Sequence, residues 1–372
     1  QGTKKSVIAT TLENTRGYLA EAATAGATSA GNVATLNRVI LPVIRRVMPT
    51  VIANEIVGVQ PMTGPVGQIH TLRVRYSDAD TNSTDGTMTT VAGEEALSPF
   101  KIAEQYSGNA TGKADSTATL EGAAGNRLSI QILKQVVEAK TRKLSARWTF
   151  ESAQDAQSQH GIDVEAEIMA ALAQEITAEI DQEVLRSLRT LSGTVETYDQ
   201  AAVSGTATFV GDEHAALAVQ INRAANLIAQ RTRRGAGNWA VVSPFALTIL
   251  QSATTSAFAR TTEGSFEAPT NTKFVGTLNN AMRVYVDTYA GDGSAVLVGY
   301  KGSSESDAAA FYCPYIPLMS SGVVLDPSTF EPVVSFMTRY GYVELNNTAS
   351  SLGNAADYLA EVAITNANVS FS

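Results

Sequence analysis

Cysteine is nearly absent from the 372 residues, since Cys313 is the only one. A single thiol excludes an internal disulfide and any metal site built from several cysteines. Cys313 lies between apolar neighbours in the segment FYCPY, which favours a core position over a role as a nucleophile. The lack of disulfides is compatible with a reducing compartment such as a bacterial cytoplasm.

Histidine is almost as scarce, and His70, His160 and His214 lie in separate segments. None has a histidine or cysteine partner at ligand spacing, so we expect no metal site. The sequence also lacks the G-x-S-x-G, H-E-x-x-H and G-x-x-x-x-G-K-[ST] motifs of hydrolases, metalloproteases and nucleotide-binding proteins. We therefore predict that the protein is not an enzyme and has no cofactor.

Long apolar runs are missing as well. No run approaches the roughly 18 residues that a membrane-spanning helix requires. The first thirty residues contain no apolar core of a signal peptide. These absences predict a protein that makes no contact with a membrane.

Charged residues make up 17% of the chain and hydrophobic residues 44%. So few charges indicate that much of the surface is covered, most simply by copies of the same chain. The net charge of −9 is uneven, since residues 1–160 carry +2 and residues 161–372 carry −11. An acidic chain without a broad basic face is a poor candidate for binding DNA phosphates. The asymmetry suits a polymer whose basic front end meets an acidic back end.

The first third of the chain alternates between weak and strong folding signals. Residues 1–35 are rich in Ala, Thr, Gly and Ser and predict an extended arm. The apolar residues 35–53 contain two prolines and predict short helical pieces with breaks. Gln68–Tyr76 is predicted to be a strand, and the low-complexity residues 77–127 a projecting loop or small insertion. From residue 128 to 151 the chain is strand-like, with alternation at Leu144, Ala146, Trp148 and Phe150.

The strongest signal is a helix that begins after Asp163, a good N-cap. Its apolar residues recur every four positions, at Val164, Ile168, Leu172, Ile176, Ile180, Val184 and Leu188. Four residues exceed one helical turn by about 40°, so the stripe winds roughly 240° over six steps. We therefore expect different structural elements to bury the two ends of this helix.

A polar linker is predicted over 192–211, followed by a second helix from about Glu213 to Arg233 with Asp212 at its start. Arg231, Arg233 and Arg234 mark its end before Gly235, and we interpret them as residues that complement the helix dipole rather than bind phosphate. Ser243 and Pro244 open a third helix. Further strands are predicted at Trp239–Val242, Met282–Val286, 295–300, 310–314, 333–343 and 360–370, and no internal repeat is present.

Two charged groups are candidates for contacts. The acidic residues Glu165, Glu167, Glu175, Glu179, Asp181 and Glu183 have helical spacing, which favours a solvated or partner-facing helix side over a catalytic carboxylate set. A basic run lies on a strand pattern without interleaved aromatics, which favours a protein contact over DNA. We predict that the two groups meet across a subunit boundary, through Lys134, Lys140, Arg142, Lys143 and Arg147 on one side and Glu165, Glu175, Glu179 and Glu183 on the other.

Four segments carry a family resemblance: residues 41–76, 136–184, 296–319 and 326–342. They include LPVIRRVMPTVIANEIVGVQ, RWTFESAQDAQSQHGIDVEAEI, VLVGYKGSSESDAAAFYCPYIPLM and DPSTFEPVVSFMTRYGY. These segments cover about a third of the chain and resemble, in the same order, the major capsid proteins of T-even-type tailed bacteriophages.

The resemblance implies an α+β structure, the Hong Kong-97 phage capsid fold. The implied domains are an N-terminal arm (1–35), the start of a peripheral domain (36–60), an extended loop (61–150) with the insertion at 77–127, the peripheral domain with a long spine helix (151–210), an axial domain (211–330), and the return strands of the peripheral domain with the C-terminus (331–372). Family members often carry a sizeable folded insertion near the extended loop, for which only residues 77–127 are available here.

The resemblance also implies the partners. The chain would assemble with itself into hexamers, and into pentamers if the vertices use the same chain, on an icosahedral shell that encloses double-stranded DNA without sequence-specific contact. Vertex, portal, scaffold and decoration proteins are implied, with assembly in the host cytoplasm and a final place in the virion. A prohead protease typically trims the N-terminus, which fits the start at Gln1.

Two alternatives remain open from the residues alone. An encapsulin-like bacterial compartment would share the fold without a genome. A secreted β-rich hydrolase or adhesin would share the composition, but the missing signal peptide and catalytic constellation oppose it. Particle size distinguishes these classes, because a shell has a mass of megadaltons and a hydrolase is a monomer or small oligomer.

Overall fold

The computed structural model describes residues 53–79, 92–93, 96, 106–108, 113–122, 124–204, 210–253, 258–260, 274–279, 281–345 and 355–366. The predicted arm, the apolar segment before residue 53 and most of the predicted insertion lie outside these residues. The helices are α1 (Ala53–Ile56), α2 (Thr117–Leu120), α3 (Phe150–His160), α4 (Val164–Leu191), α5 (Gln200–Ser204), α6 (Val210–Thr232) and α7 (Pro244–Ser252), with a 3-10 helix at Ala355–Tyr358. The strands are β1 (Gly58–Val59), β2 (Val66–Tyr76), β3 (Leu128–Glu138), β4 (Lys140–Arg147), β5 (Thr194–Asp199), β6 (Trp239–Val242), β7 (Phe258–Arg260), β8 (Phe274–Leu278), β9 (Met282–Val286), β10 (Val296–Gly299), β11 (Ala310–Ser320), β12 (Val324–Leu325), β13 (Pro332–Glu344) and β14 (Leu359–Thr365).

A seven-stranded mixed sheet has the order β5-β14-β10-β6-β9-β8-β7. Alternate residues of its central strands enter two different cores, as the period of a strand requires. Ala240 and Val242 join the core that α6 and α7 cover. Trp239 and Val241 join the core that contains the last turns of α4. Both faces of the central strands of this sheet are therefore buried within the chain.

A second sheet has the order β1-β11-β13-β12, and β4 pairs with β13 on its other side. Ile176 and Ile180 of α4 pack on this sheet against Tyr340, Leu144 and Phe336. The chain thus combines helices and sheets without a repeated β-α-β order along the sequence, so the fold is α+β, as predicted.

The winding stripe of α4 is confirmed where the helix crosses between the two sheets. Ile176 and Ile180 pack on the second sheet, whereas Val184 and Leu188 pack on the seven-stranded sheet. Asp163 caps the helix as predicted, because its carboxylate accepts hydrogen bonds from the backbone N–H groups of residues 165 and 166. One long helix therefore joins the two sheets.

The prediction that the whole stripe is buried is wrong for the first turns of α4. Val164 and Ile168 are only half-buried, because the element beside them, α3, buries none of its own residues. Asp181, which the sequence assigned to the exposed acidic side, is buried. The stripe has rotated far enough at this point to carry position 181 inward.

Three further predictions require correction. Phe150 begins helix α3 instead of continuing a strand, although the alternation is confirmed as far as Trp148. The polar linker 192–211 contains strand β5 and helix α5, because β5 finds a distant partner in β14. The second helix begins by Val210, before Asp212, and Arg233 instead of Gly235 takes the left-handed conformation after it, with φ 50°.

The remaining elements follow the sequence closely. Trp239–Val242 and Met282–Val286 have the predicted bounds, and Ser243 caps α7 with Pro244 in its first turn. Strand β11 runs beyond the predicted residue 314 to Ser320. Strand β14 covers the first part of the predicted 360–370, and the rest lies outside the described residues.

Strands β2 and β3 form a two-stranded antiparallel hairpin, paired from Val66 opposite Glu138 to Tyr76 opposite Leu128. Its base is fixed to the second sheet, where Val137 packs with Phe311 and Cys313. The contact between the hairpin base and the second sheet is tight, because a Cβ on Gly341 of β13 would lie 2.4 Å from Val137 Cγ1. Glycine at 341 thus lets the hairpin base approach the sheet closely.

Candidate assembly surfaces

The predicted basic strand and acidic helix do meet, and they do so within one chain. The Arg142 guanidinium on β4 donates from Nη1 to Glu179 Oε2 at 2.6 Å and from Nη2 to Glu183 Oε2 at 2.5 Å. Its Nε donates to the Tyr340 hydroxyl at 2.6 Å, and that hydroxyl donates to Glu183 Oε2 at 2.5 Å. Because β4 pairs with β13 and α4 packs across both, this network links the helix to the sheet.

The network sets the protonation of its members. Burial raises the pKa of the Glu183 carboxyl, but hydrogen bonds from Arg142 and Tyr340 outweigh burial and leave that pKa below its ordinary value. Burial and the hydrogen bond to Glu183 both raise the pKa of the Tyr340 hydroxyl. Glu183 is therefore an anion and Tyr340 a neutral donor at neutral pH.

The other predicted contact residues are on the surface. Lys134 is exposed on the hairpin opposite His70, and Lys140 and Lys143 are exposed on β4. Arg147 lies 3.8 Å from Glu331 with most of its side chain exposed. Glu165, Glu175 and Glu179 are exposed on α4. Arg142, Glu179 and Glu183 already have partners within the chain, and the contact of the remaining residues with another copy stays a prediction.

The hairpin has an apolar surface that the sequence analysis did not identify. Pairing places Leu72 opposite Ile132 and Tyr76 opposite Leu128, on one side of the ladder. Ile130 is 70% exposed and Leu72 67% exposed. Val66, at the base of the hairpin, is also exposed on this side, and we call the five other exposed apolar side chains of this side the hairpin face: Leu72, Leu128, Ile130, Ile132 and Val136. The signal was present in the alternation of Leu128, Ile130 and Ile132, but alternation does not reveal which side the protein's own core covers.

The hairpin contacts part of the predicted insertion at its far end. Tyr76 packs with Tyr106, and their ring centroids lie 4.6 Å apart. The Tyr106 hydroxyl donates to the backbone carbonyl of Arg127. Residues from the predicted insertion thus support the end of the hairpin that lies away from the second sheet.

Cys313 and His214 have the surroundings of structural residues. Cys313 is 2% exposed, and burial raises the pKa of its thiol, so the prediction of a core residue is confirmed. His214 is buried with Nδ1 2.5 Å from Ser252 Oγ, and burial lowers the pKa of its imidazole. Within the described ranges, no group of three or more His, Cys, Asp or Glu side chains is positioned to hold a metal ion.

One of the arginines that follow α6 joins the end of this helix to a distant loop. Arg234 Nη1 lies 2.7 Å from Asp307 Oδ1, so this guanidinium joins α6 to the loop before β11. This ion pair is a structural contact, and the interaction of the three arginines with the helix dipole stays a prediction. No helix in the described part of the chain has the length and hydropathy needed to cross a membrane.

Comparison with known proteins gives one consistent result. A family model described as major capsid protein Gp23 matches residues 33–368. The major capsid protein of Enterobacteria phage T4 is 32% identical over 91% of this chain and 80% of its own length. The major capsid protein of Vibrio phage KVP40 is 30% identical over 89% of this chain and 81% of its own length. These relatives give no support to an encapsulin-like compartment, a hydrolase or an adhesin.

Solved structures show the same architecture at much lower identity. A chain of the bacteriophage PhiM1 mature capsid matches 89% of this chain and 91% of its own length, with a TM-score of 0.50 at 12% identity. A chain from Mycobacterium phage Cain matches 92% of this chain and 100% of its own length, with a TM-score of 0.52 at 10% identity. At such identities the likeness concerns the fold alone, and that fold occurs in a phage capsid.

Proposed function

The chain belongs to the major capsid protein Gp23 family, and from this premise we propose that its copies form hexameric capsomers of an icosahedral phage head around double-stranded DNA. A major capsid protein of a tailed phage has its place in the capsid of the virion and is a structural protein, not an enzyme. The hexamer, the shell symmetry and the enclosed DNA are the proposed part.

The hairpin face is the observation that carries the proposal. A fully buried aliphatic side chain contributes about 1.5–3 kcal/mol relative to an exposed one. Five such side chains are exposed on one side of a two-stranded hairpin, which cannot cover them itself, and the exposed Lys134 lies among them. In a protein that builds a shell, every subunit has neighbouring copies, and one of these can bury the hairpin face.

We propose that charged residues adjust this contact rather than drive it. Lys134 lies on the hairpin itself, and Lys140, Lys143 and Arg147 follow on the next strand. Their proposed partners are Glu165 and Glu175 on the α4 helix of a neighbouring copy. Each exposed pair contributes about 0–1 kcal/mol, so the apolar contacts supply most of the cohesion and the charges fix the register.

We propose the domain division that the resemblance implies. The hairpin lies in the proposed extended loop (61–150), and α4 is the proposed spine helix of the peripheral domain (151–210). Helices α6 and α7 lie in the proposed axial domain (211–330) with five strands of the seven-stranded sheet, whereas β5 and β14 of that sheet come from the neighbouring ranges. Two cores support this division, because α6 and α7 have a core distinct from that of the last turns of α4. Residues 1–35 are proposed as an arm on a neighbouring copy, on the basis of their composition.

Further partners are proposed on the resemblance alone. They are pentamers or a related vertex protein, a portal, a scaffold and decoration proteins. We propose assembly in the host cytoplasm, with DNA enclosed but not contacted in a sequence-specific way, which the net charge of −9 supports.

The test is assembly of the full chain, with electron microscopy and sedimentation as readouts. The unchanged protein is expected to form closed particles of megadalton mass. Ile132→Asp places a charge in the hairpin face and is expected to leave folded subunits that do not close into particles.

The matched control is Val219→Asp, because Val219 is also an exposed aliphatic residue but lies alone on α6. It is expected to assemble as the unchanged chain does. A chain that remains a monomer under all assembly conditions would contradict the proposed function. Particles formed equally well by Ile132→Asp would contradict the role of the hairpin face.

A further inference from the structure

His214 is buried where the first turns of α6 meet the last residue of α7. Its exposed fraction is 4%, and its Nδ1 lies 2.5 Å from Ser252 Oγ. The Ser252 hydroxyl donates its own proton to the Ile249 carbonyl at 3.0 Å. Because a hydroxyl has one proton to donate, Ser252 Oγ accepts from the imidazole, and the neutral ring carries its proton on Nδ1.

This tautomer leaves Nε2 as the nitrogen that would take up a second proton. Nε2 of His214 is buried and has no hydrogen-bond partner among the described residues. A proton there would place a positive charge and an unpaired donor in the interior, and both are unfavourable away from water. Burial accordingly lowers the pKa of the imidazole below its ordinary value of 6.5.

The carboxylate next to His214 in sequence is engaged elsewhere. Glu213 is 7% exposed, and its Oε2 accepts a hydrogen bond from Gln200 Nε2 at 3.0 Å. Its charge acts to raise the pKa of the His214 imidazole, but burial has the larger influence. The Tyr198 hydroxyl donates to the Glu213 carbonyl at 3.0 Å, and burial raises the pKa of this hydroxyl to about 12, so it is neutral.

The other elements that pack against α6 are α5, α7, β5, β10, β14 and the 3-10 helix. Helices α5 and α7 and strand β10 contain no charged residue. Asp357 of the 3-10 helix lies beside Tyr358, which is close to Arg234 at the opposite end of α6. The carboxylates of β5 and β14 contact other side chains: Glu196 contacts Arg223, Asp199 contacts Asn366, and Glu361 contacts Arg189.

We propose that His214 makes the contact between α6 and α7 sensitive to acid, so that the neutral imidazole holds the two helices together and its protonation separates them. The two helices cover one face of the seven-stranded sheet, where Leu217 and Ile221 of α6 share a core with Ile249 of α7. The inference goes beyond the proposed function and does not depend on it, because it concerns the single subunit.

The direction of the pH effect follows from the linkage between opening and proton uptake. The imidazole of an opened chain takes up a proton near its ordinary pKa of 6.5, whereas the closed contact keeps the imidazole neutral to lower pH. The stability that the neutral ring contributes is therefore complete above pH 6.5 and is lost as the pH falls below that value. The open fraction is expected to rise by up to about tenfold between about pH 7.5 and about pH 5.5.

Hydrogen exchange of the full chain as isolated subunits tests this. The measured quantity is the protection factor, which is corrected for the chemical exchange rate at each pH. In the unchanged chain, the amides of α7 and of the first turns of α6 are expected to lose protection by that factor as the pH falls. His214→Gln can still donate to Ser252 but does not titrate, so its protection there is expected to be independent of pH. The control His70→Gln removes an exposed histidine of the hairpin and is expected to behave as the unchanged chain does.

Nitrogen-15 NMR of the imidazoles gives a second measurement that does not require His214→Gln to fold. The chain contains three histidines, so the signals lost in His70→Gln and His160→Gln identify the third as His214. At neutral pH, the His214 ring is expected to have the chemical shifts of a neutral imidazole protonated at Nδ1. These shifts are expected to persist below pH 6.5 in subunits whose helices remain closed.

Three results would overturn the inference. One is a loss of protection that is equal in the unchanged chain and in His214→Gln. Another is protection in the unchanged chain that does not change with pH. The third is a His214 ring that is charged, or protonated at Nε2, at neutral pH. None of these measurements involves particles, so a chain that forms no particles would contradict the proposed function alone.

Discussion

Strand β10 of the seven-stranded sheet and strand β3 of the hairpin are both rich in aliphatic residues, yet their environments are opposite. Val296, Leu297 and Val298 are fully buried, with helices or other strands on both sides. Ile130 is 70% exposed and Ile132 67% exposed. The comparison shows that the apolar composition of a strand indicates how much of its surface is stable only when buried. It does not indicate whether the same chain or another molecule buries that surface.

The largest effect on stability that the comparison predicts comes from shortening one aliphatic side chain on each strand to alanine. Leu297→Ala removes a fully buried side chain and is expected to lower the free energy of unfolding of the isolated subunit by about 2–5 kcal/mol. Ile132→Ala is expected to change it by less than about 0.5 kcal/mol, because the side chain is already in water. Urea denaturation of dissociated subunits measures both. Similar losses for the two variants would show that the hairpin face is covered within the chain.

A second prediction concerns the contact between the base of the hairpin and the second sheet. Gly341→Ala places a methyl group 2.4 Å from Val137 Cγ1, and overpacking of this kind costs about 1–3 kcal/mol. The double variant with Val137→Ala is expected to recover much of that loss, since it removes the opposing methyl groups. Denaturation of the single and double variants measures the coupling. Additive losses would contradict a direct contact between these positions.

A third prediction concerns the link between α4 and the second sheet. The Glu183 pKa is lowered in the folded chain, so its contribution to stability is present above the unfolded value of 4.5 and is lost as the pH falls below it. Glu183→Gln is expected to cost about 0.5–1 kcal/mol at neutral pH, because the pair is partly exposed and screened by water. The difference from the unchanged chain is expected to shrink as the pH falls below 4.5. Glu175→Gln, on the exposed side of the same helix, is the control.

The smallest expected effect is that of the charges proposed to meet between copies. Lys143→Glu is expected to weaken each contact by about 0–1 kcal/mol, more at low salt than at high salt. Assembly yield measured at both salt concentrations tests this. Restoration by Glu175→Lys would identify the partner. A salt-independent defect would instead indicate that the substitution damages the fold of the subunit.

Local signals in the sequence predicted much of the fold. The cap at Asp163, the Ser243-Pro244 start and the strand Trp239–Val242 depend on neighbouring residues, and the structure confirms all three. The four-residue stripe even predicted that α4 passes from one set of partners to another, because its winding follows from helix geometry alone.

Features that depend on distant partners were not predicted. Strand β5 is polar in sequence and forms because β14 lies beside it. Helix α3 has few apolar residues, and its boundaries are the cap at Thr149 and the left-handed Gly161, which are weak signals by themselves. The pairing of Arg142 with Glu179 and Glu183 inside one chain required knowledge that β4 lies under α4.

The measurement that most directly tests the central claim is thiol labelling of Ile132→Cys in the subunit and in the shell. The native thiol of Cys313 is buried and its pKa is raised, so it contributes little background. If a neighbouring copy covers the hairpin face, the thiol at 132 reacts rapidly in dissociated subunits and at least about tenfold more slowly in assembled particles. Equal rates in the two states would contradict the account, because the hairpin face would then remain in water after assembly.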